Sequence, residues 1–168
     1  MTSSAELNFV RQQGFLSAPA DVATCQYPSL MWQPRVVGIL VLAGILFQSA
    51  LLFAILGAVL VWGVVLPRRN VFDALYNRLV AGPRDRPRLD PAPAPRRFAQ
   101  GLAATFLLGA AISLTMGWAV AAWTLQAFVV VALAALILGR FCLGSYVFLL
   151  LTHRGDLARR TLPWARAH

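Results

Sequence analysis

Two long uncharged runs dominate the hydrophobic pattern of this chain. They cover Val36–Leu66 and Phe98–Gly139, and neither contains an Asp, Glu, His, Lys or Arg. A helix needs about 20 apolar residues to cross a hydrocarbon core about 30 Å thick. The two runs therefore have room for three or four membrane-spanning helices.

The number of crossings depends on where these runs break. Met116-Gly117-Trp118 divides the second run, because Gly interrupts a helix and Trp suits the membrane interface. The first run would be about 46 Å long as one helix, which demands a tilt beyond the usual range of about 0–40°. A break at the polar pair Gln48-Ser49 gives two short helices, the first extended backward through Pro34. The residues favour four helices and leave three open.

The segment between the runs predicts two further parts. Asn70 suits a helix N-cap, and Asp73 follows where the acidic partner of a capping box stands. Apolar residues at helical spacing then predict a short amphipathic helix over 71–81, lying on the cytoplasmic interface. Five prolines predict an extended linker after it: Pro83, Pro87, Pro91, Pro93 and Pro95.

Composition supports a membrane protein. The 168 residues are 59% hydrophobic and 12% charged, with a net charge of +9, and the mean hydropathy is +0.68. A soluble domain is about 45–50% apolar and about 25% charged. These values exclude a soluble globular domain, a disordered chain and a disulfide-rich secreted scaffold.

Arginines set the predicted orientation, because Arg-rich short loops stay cytoplasmic. The loop and the C-terminal tail are both basic, so an even number of crossings separates them. Four crossings place the N-terminus in the cytoplasm, and three place it outside. No cleavable signal peptide is expected, since the first apolar run is too long. The prediction is an all-α polytopic membrane protein of two hairpins, with an N-terminal segment 1–33, a hairpin 34–66, a basic loop 67–97, a hairpin 98–152 and a tail 153–168.

The uncharged runs argue against several chemistries. Proton relays and ion pathways need ionisable groups inside the membrane. The chain has no phosphate-binding Gly loop, H-E-x-x-H pair or G-x-S-x-G elbow. His153 and His168 lie too far from the thiols to suggest haem or zinc. We therefore expect no enzyme, no catalytic residue, no metal and no cofactor, and the split basic charge is a poor fit to nucleic acid.

Charged residues near the apolar runs are the candidate contact sites. Arg140 has hydrophobic sequence on both sides. Either it reaches lipid phosphates at the cytoplasmic end of the last helix, or the helix continues through Phe141–Leu151 and Arg140 pairs with Asp73. The paired arginines at loop ends are candidate contacts for anionic lipid: Arg68, Arg69, Arg96, Arg97, Arg159 and Arg160.

Several segments carry a family resemblance. They are Asn8–Phe15, Asn70–Asn77, Pro95–Ala99 and Phe141–Ser145, with Phe-Asp-Ala-Leu-Tyr-Asn the most specific stretch. Together they resemble a bacterial family of small integral membrane proteins known only as a domain of unknown function. The resemblance implies a four-helix fold in a bacterial cytoplasmic membrane, and it implies no activity.

The two thiols, Cys25 and Cys142, are expected to be small buried side chains, with redox chemistry as the alternative. Many relatives have Cys-x-x-Cys where this chain has Cys142-Leu143-Gly144-Ser145. No resolving Cys therefore stands beside Cys142.

Three functions follow as hypotheses. The first is a non-enzymatic accessory or structural subunit of a larger membrane complex, with a respiratory or photosynthetic assembly as a natural host. Its partners would be the lipid bilayer, anionic lipids and other membrane protein subunits. The second is a thiol-linked redox component that acts through Cys142. The third is a small transporter for an uncharged solute, whose path would be lined by Gln48, Ser49, Ser113, Thr115 and Gln126.

Overall fold

A computed structural model describes residues 4–16, 26–84 and 88–165. Every regular element in these ranges is helical, which confirms the all-α prediction for them. A 3₁₀ turn at Pro67–Arg69 precedes the short helix Val71–Tyr76, and a π-helical turn at Asn77–Ala81 continues that helix. The helices are α1 Ser4–Gln12, α2 Trp32–Leu46, α3 Ala50–Val65, α4 Val71–Tyr76, α5 Ala94–Thr115, α6 Ala119–Ile137, α7 Leu143–Leu151 and α8 Gly155–Arg160.

Three helices in the described part of the chain are long and apolar enough to cross a membrane. They are Gln26–Leu46, which is α2 with the helical residues before it, together with α5 and α6. The helix α3 is also apolar, but it is shorter, with 16 residues. Large side chains on these helices are exposed, such as Ile39 at 68% and Val120 at 82%. An apolar exterior of this extent is consistent with a membrane protein.

The first uncharged run is broken where its polar pair predicts. α2 ends at Leu46, Gln48 has a φ of +43°, and the Ser49 hydroxyl accepts a hydrogen bond of 3.2 Å from the backbone N–H of Leu52. Ser49 is therefore the N-cap of α3. The break at Gln48-Ser49 is confirmed, so Val36–Leu66 is not one helix.

The second run also breaks at the predicted glycine. α5 ends at Thr115, Gly117 has a φ of +73°, and α6 begins at Ala119. A positive φ strains most residues but not Gly. The side chain of Gln126 in α6 exchanges hydrogen bonds of 3.2 and 3.4 Å with Gln48, which ties the α2–α3 turn to α6.

The segment between the runs is helical where expected, but its proline linker is shorter. The carbonyl oxygen of the Asn70 side chain accepts from the backbone N–H of Phe72 at 3.0 Å and of Asp73 at 3.4 Å, as an N-cap should. The linker prediction is wrong at its end, because α5 begins at Ala94. Pro95 fits the first turn of that helix, where its missing N–H needs no partner.

The last predicted helix is interrupted. α6 ends at Ile137 and α7 begins at Leu143, and Arg140 between them has a φ of +52°. The interpretation of one helix running through Arg140 is therefore wrong.

α5 is the central helix of the bundle. It packs most extensively against α3 and also contacts α6 and α7. Glycines allow two close approaches: a Cβ atom on Gly57 would lie 2.7 Å from Cγ of Leu108, and one on Gly144 would lie 2.7 Å from Cβ of Ala99. Gly144 therefore sets the distance between α7 and α5.

α1 closes one end of the bundle. Phe9 contacts the Tyr27 ring edge-on at 5.6 Å between centroids. The side-chain amide of Asn8 donates to the carbonyl oxygens of Leu162 and Ala165, each at 2.9 Å. The N-terminal helix and the C-terminal tail therefore lie together at this end.

We predict that Gly144→Ala lowers stability by about 1–3 kcal/mol, because the added methyl group overpacks the α5–α7 contact. Gly155→Ala is the matched control, since no atom lies within 4 Å of its would-be Cβ. Thermal unfolding in detergent measures both variants. Equal midpoints for the two variants would show that the close approach of α7 and α5 is not required.

Candidate functional site

Four buried polar side chains form what we call the polar cluster: Gln33, Asp73, Arg96 and Gln100. Gln33 lies in the first turn of α2, Asp73 in α4, and the other two in the first turns of α5. Each residue is only 5–7% exposed. The cluster therefore joins three helices at one end of the bundle.

An ion pair is the centre of this cluster. The Nη2 atom of Arg96 lies 2.6 Å from Oδ1 of Asp73, and its Nη1 atom lies 3.3 Å from Oδ2. This two-bond arrangement matches the planar guanidinium to the carboxylate. Burial makes the pair costly to form but more costly to break, because either partner alone would be an uncompensated charge.

The two glutamines extend the ion pair with a fixed direction of hydrogen bonding. Nη2 of Arg96 donates to Oε1 of Gln33 at 2.8 Å, and Nε2 of Gln100 donates to the same oxygen at 2.8 Å. Since a guanidinium only donates, the Gln33 atom facing it must be the oxygen. Gln100 must then present its nitrogen to Gln33, and its own Oε1 is left with no partner among the described residues.

Two predictions about these residues are wrong. Asp73 pairs with Arg96 and not with Arg140. Arg96 is not a lipid contact, because its guanidinium is buried against Asp73 and Gln33. The carboxylate of Asp73, which suggested a capping box, accepts its hydrogen bonds from Arg96.

Arg140 has a different set of neighbours. Its Nη1 atom lies 3.3 Å from Oε1 of Glu6, and its guanidinium carbon lies 5.6 Å from the centre of the Tyr27 ring. The side chains of this ion pair are 39% and 22% exposed. Arg140 thus connects the α6–α7 turn to α1, and its contact with lipid stays a prediction.

The remaining predicted arginines divide by exposure. Arg97 is half-buried and donates from Nε to the carbonyl oxygen of Val64 at 3.0 Å, at the end of α3. The other four are exposed, as a contact with lipid headgroups requires: Arg68, Arg69, Arg159 and Arg160. Their binding of anionic lipid remains a prediction.

Cys142 is a buried free thiol, as the default interpretation expects. Its backbone N–H donates to Oε1 of Gln12 at 2.8 Å, so α1 also holds this loop. Ser145, at the position where the resemblance implies a second Cys, donates from Oγ to the carbonyl oxygen of Pro95 at 3.3 Å. Cys25 lies outside the described residues. Within the described ranges, no group of three or more His, Cys, Asp or Glu is placed to hold a metal ion.

Four of the five polar residues proposed for a solute path make hydrogen bonds within the protein. Gln48 and Gln126 bond to each other. Ser49 caps α3, and the hydroxyl of Thr115 donates to the carbonyl oxygen of Ile112 at 2.8 Å. Ser113 is buried in α5.

Sequence reasoning missed the two glutamines. Gln33 stands before the first uncharged run, and Gln100 stands just inside the second. In the sequence, each of these residues is only an amide beside an apolar segment. This pattern indicates a buried polar contact only once both side chains are placed against Arg96.

A comparison with protein families matches residues 30–153 to the family described as Domain of unknown function (DUF4395). This match covers most of the chain, and the chain belongs to this family. No curated protein and no solved structure matches it.

We predict that Asp73→Asn lowers the free energy of unfolding by about 3–5 kcal/mol, because it leaves the Arg96 guanidinium buried without its counter-charge. The matched control is Glu6→Gln, which breaks the more exposed pair with Arg140 and should cost about 0–1 kcal/mol. Unfolding in detergent measures both. A loss at Asp73 no larger than the loss at Glu6 would contradict the assigned role of the buried pair.

Proposed function

We propose that this member of the DUF4395 family is a non-enzymatic accessory subunit of a larger membrane complex, with four membrane-spanning helices arranged as two hairpins. The observation that carries the proposal is an apolar groove between α2 and α6. The groove has a volume of about 460 Å³. Its walls and floor are formed mainly by Gly38, Ile39, Leu42, Val130, Ala134 and Ile137.

The four-span topology has support from the ends of the bundle. The polar cluster brings the start of α2 to the starts of α4 and α5. α1 contacts the C-terminal tail through Asn8. The N-terminal helix, the arginine-rich loop and the tail thus meet at one end, and an even number of crossings produces this arrangement. The positive-inside rule assigns that end to the cytoplasm, here of a bacterial inner membrane.

The short α3 fits such a topology with some adjustment. Its 16 residues span about 24 Å, less than the hydrocarbon thickness of about 30 Å. A short span is accommodated by local thinning of the bilayer and by flanking residues that reach the headgroups. Arg68 and Arg69 follow α3, and the indole N–H of Trp62 donates to the carbonyl oxygen of Arg69 at 3.1 Å.

The groove fits one apolar helix of another subunit. Association of helices in lipid depends on close packing, because lipid tails are as apolar as side chains. Gly38 and Ala134 are small residues that let a second backbone approach, while Ile39 and Leu42 are exposed along the rim. Arg35 lies at one end of the groove, where it would attract an acidic residue of the partner.

The two other expected functions have less support. The redox hypothesis depends on Cys142, which is 6% exposed and has Ser145 where a Cys-x-x-Cys motif would have its second thiol. A solute path has polar side chains that bond to near neighbours, such as Thr115 to Ile112.

We predict that Ala134→Phe lowers the amount of co-purifying subunit by about 5- to 100-fold, because a ring in the groove costs about 1–3 kcal/mol by overpacking. The matched control is Ala58→Phe, at an exposed alanine of α3 that does not line the groove. The measurement is solubilisation from the native membrane in mild detergent, followed by size exclusion and mass spectrometry. A wild-type chain that travels alone at 18.3 kDa, or partners retained by Ala134→Phe, would contradict the proposal.

A further inference from the structure

Two adjacent cavities meet at Cys142. The smaller has a volume of about 90 Å³ and faces the polar cluster through Gln33, Arg96 and Gln100. The larger has a volume of about 200 Å³, and apolar side chains that include Phe106 and Phe128 line most of it. Six residues line both cavities: Val37, Ala99, Ala103, Leu133, Leu136 and Cys142.

We propose that this pair of cavities binds an uncharged, lipid-soluble molecule with one hydroxyl group. The hydroxyl would occupy the smaller cavity, and the apolar body would occupy the larger one. This proposal is independent of whether the chain is a subunit of a complex.

The unsatisfied oxygen of Gln100 selects a hydrogen-bond donor. Gln100 is 7% exposed, lines the smaller cavity, and its Oε1 has no partner among the described residues. The direction of the bonds from Arg96 through Gln33 fixes this atom as an acceptor. A hydroxyl supplies the missing donor, whereas a ketone or an ether does not.

The charge balance of the site selects an uncharged ligand. The guanidinium of Arg96 is already compensated by Asp73 at 2.6 Å. A further anion or cation beside this pair would be buried without a counter-charge, which is strongly unfavourable.

The volumes select the shape of the ligand. A cavity of about 150 Å³ lined by Leu, Ile and Phe binds benzene, and a water molecule occupies about 30 Å³ of liquid. The larger cavity therefore accepts one ring with a short alkyl group. The smaller cavity is too small for a ring and accepts only a polar head with about two waters. Phe106 and Phe128 stack at 5.7 Å between centroids beside the larger cavity.

Entry from the bilayer is consistent with the exposed side chains at the edge of the larger cavity. Phe128 is 55% exposed and Val131 is 59% exposed, and both line it. A lipid-soluble molecule would therefore reach the site without crossing the aqueous end of the bundle.

Cys142 provides a direct test, because it lines both cavities. In a Cys25→Ser variant it is the only thiol of the chain. The rate of its alkylation by N-ethylmaleimide is measured in membranes with 4-ethylphenol, and with ethylbenzene as the matched probe that lacks the hydroxyl. At about four times its Kd, the phenol should slow alkylation about fivefold. Ethylbenzene at the same membrane concentration should protect less.

Two variants connect the protection to the proposed site. Gln100→Leu should abolish the difference between the two probes, and Ala103→Phe should abolish protection by placing a ring where the two cavities meet. Thermal unfolding of the purified wild type is a second measurement, in which 4-ethylphenol should raise the midpoint more than ethylbenzene does. Equal effects of the two probes, or neither protection nor a shift of the midpoint, would overturn the proposal.

Discussion

The buried ion pair between Arg96 and Asp73 is the contact on which one end of this bundle depends. It holds α4 against the first turn of the central helix α5, and Gln33 extends it to α2. The cost of desolvating two charges is recovered only when the geometry is good and the remaining hydrogen-bonding groups are satisfied. Here both oxygens of the carboxylate accept from the guanidinium, and a third bond goes to the amide of Gln33.

The rest of the architecture is consistent with this fixed end. α5 packs on three other helices, and glycines at 57 and 144 bring α3 and α7 close to it. α6 packs less extensively against α2 than against α5, so an apolar groove lies open between α2 and α6. The ion pair also determines the site beside it, because its bonding direction leaves the Oε1 of Gln100 without a partner in the described part of the chain. The polar cluster thus lies at one end of the bundle and leaves one oxygen of Gln100 unpaired among the described residues, while the groove lies along the side formed by α2 and α6.

The sequence predicted the local features well, because local chemistry determines them. The polar pair Gln48-Ser49 interrupts an apolar run, and Gly117 tolerates a positive φ without a Cβ atom. Asn70 likewise marks the start of α4. These signals need no knowledge of the neighbouring helices.

The directions of the charged side chains were not predictable in this way. Successive residues on a helix point about 100° apart, so Arg96 faces inward while Arg97 reaches the carbonyl of Val64. A pattern of two adjacent arginines does not say which one is buried. The same reason explains why the sequence allows a pairing of Asp73 with Arg140 as one of two alternatives. Arg140 instead pairs with Glu6 of α1, a helix that the composition does not predict.

A double-mutant cycle on Asp73→Leu and Arg96→Met tests the central role of the ion pair most directly. Each single variant leaves one charge buried alone, whereas the double variant leaves none. We expect the double variant to be more stable than either single variant, with a coupling energy of at least about 1.5 kcal/mol by unfolding in detergent. Losses that add to within about 0.5 kcal/mol would contradict the account.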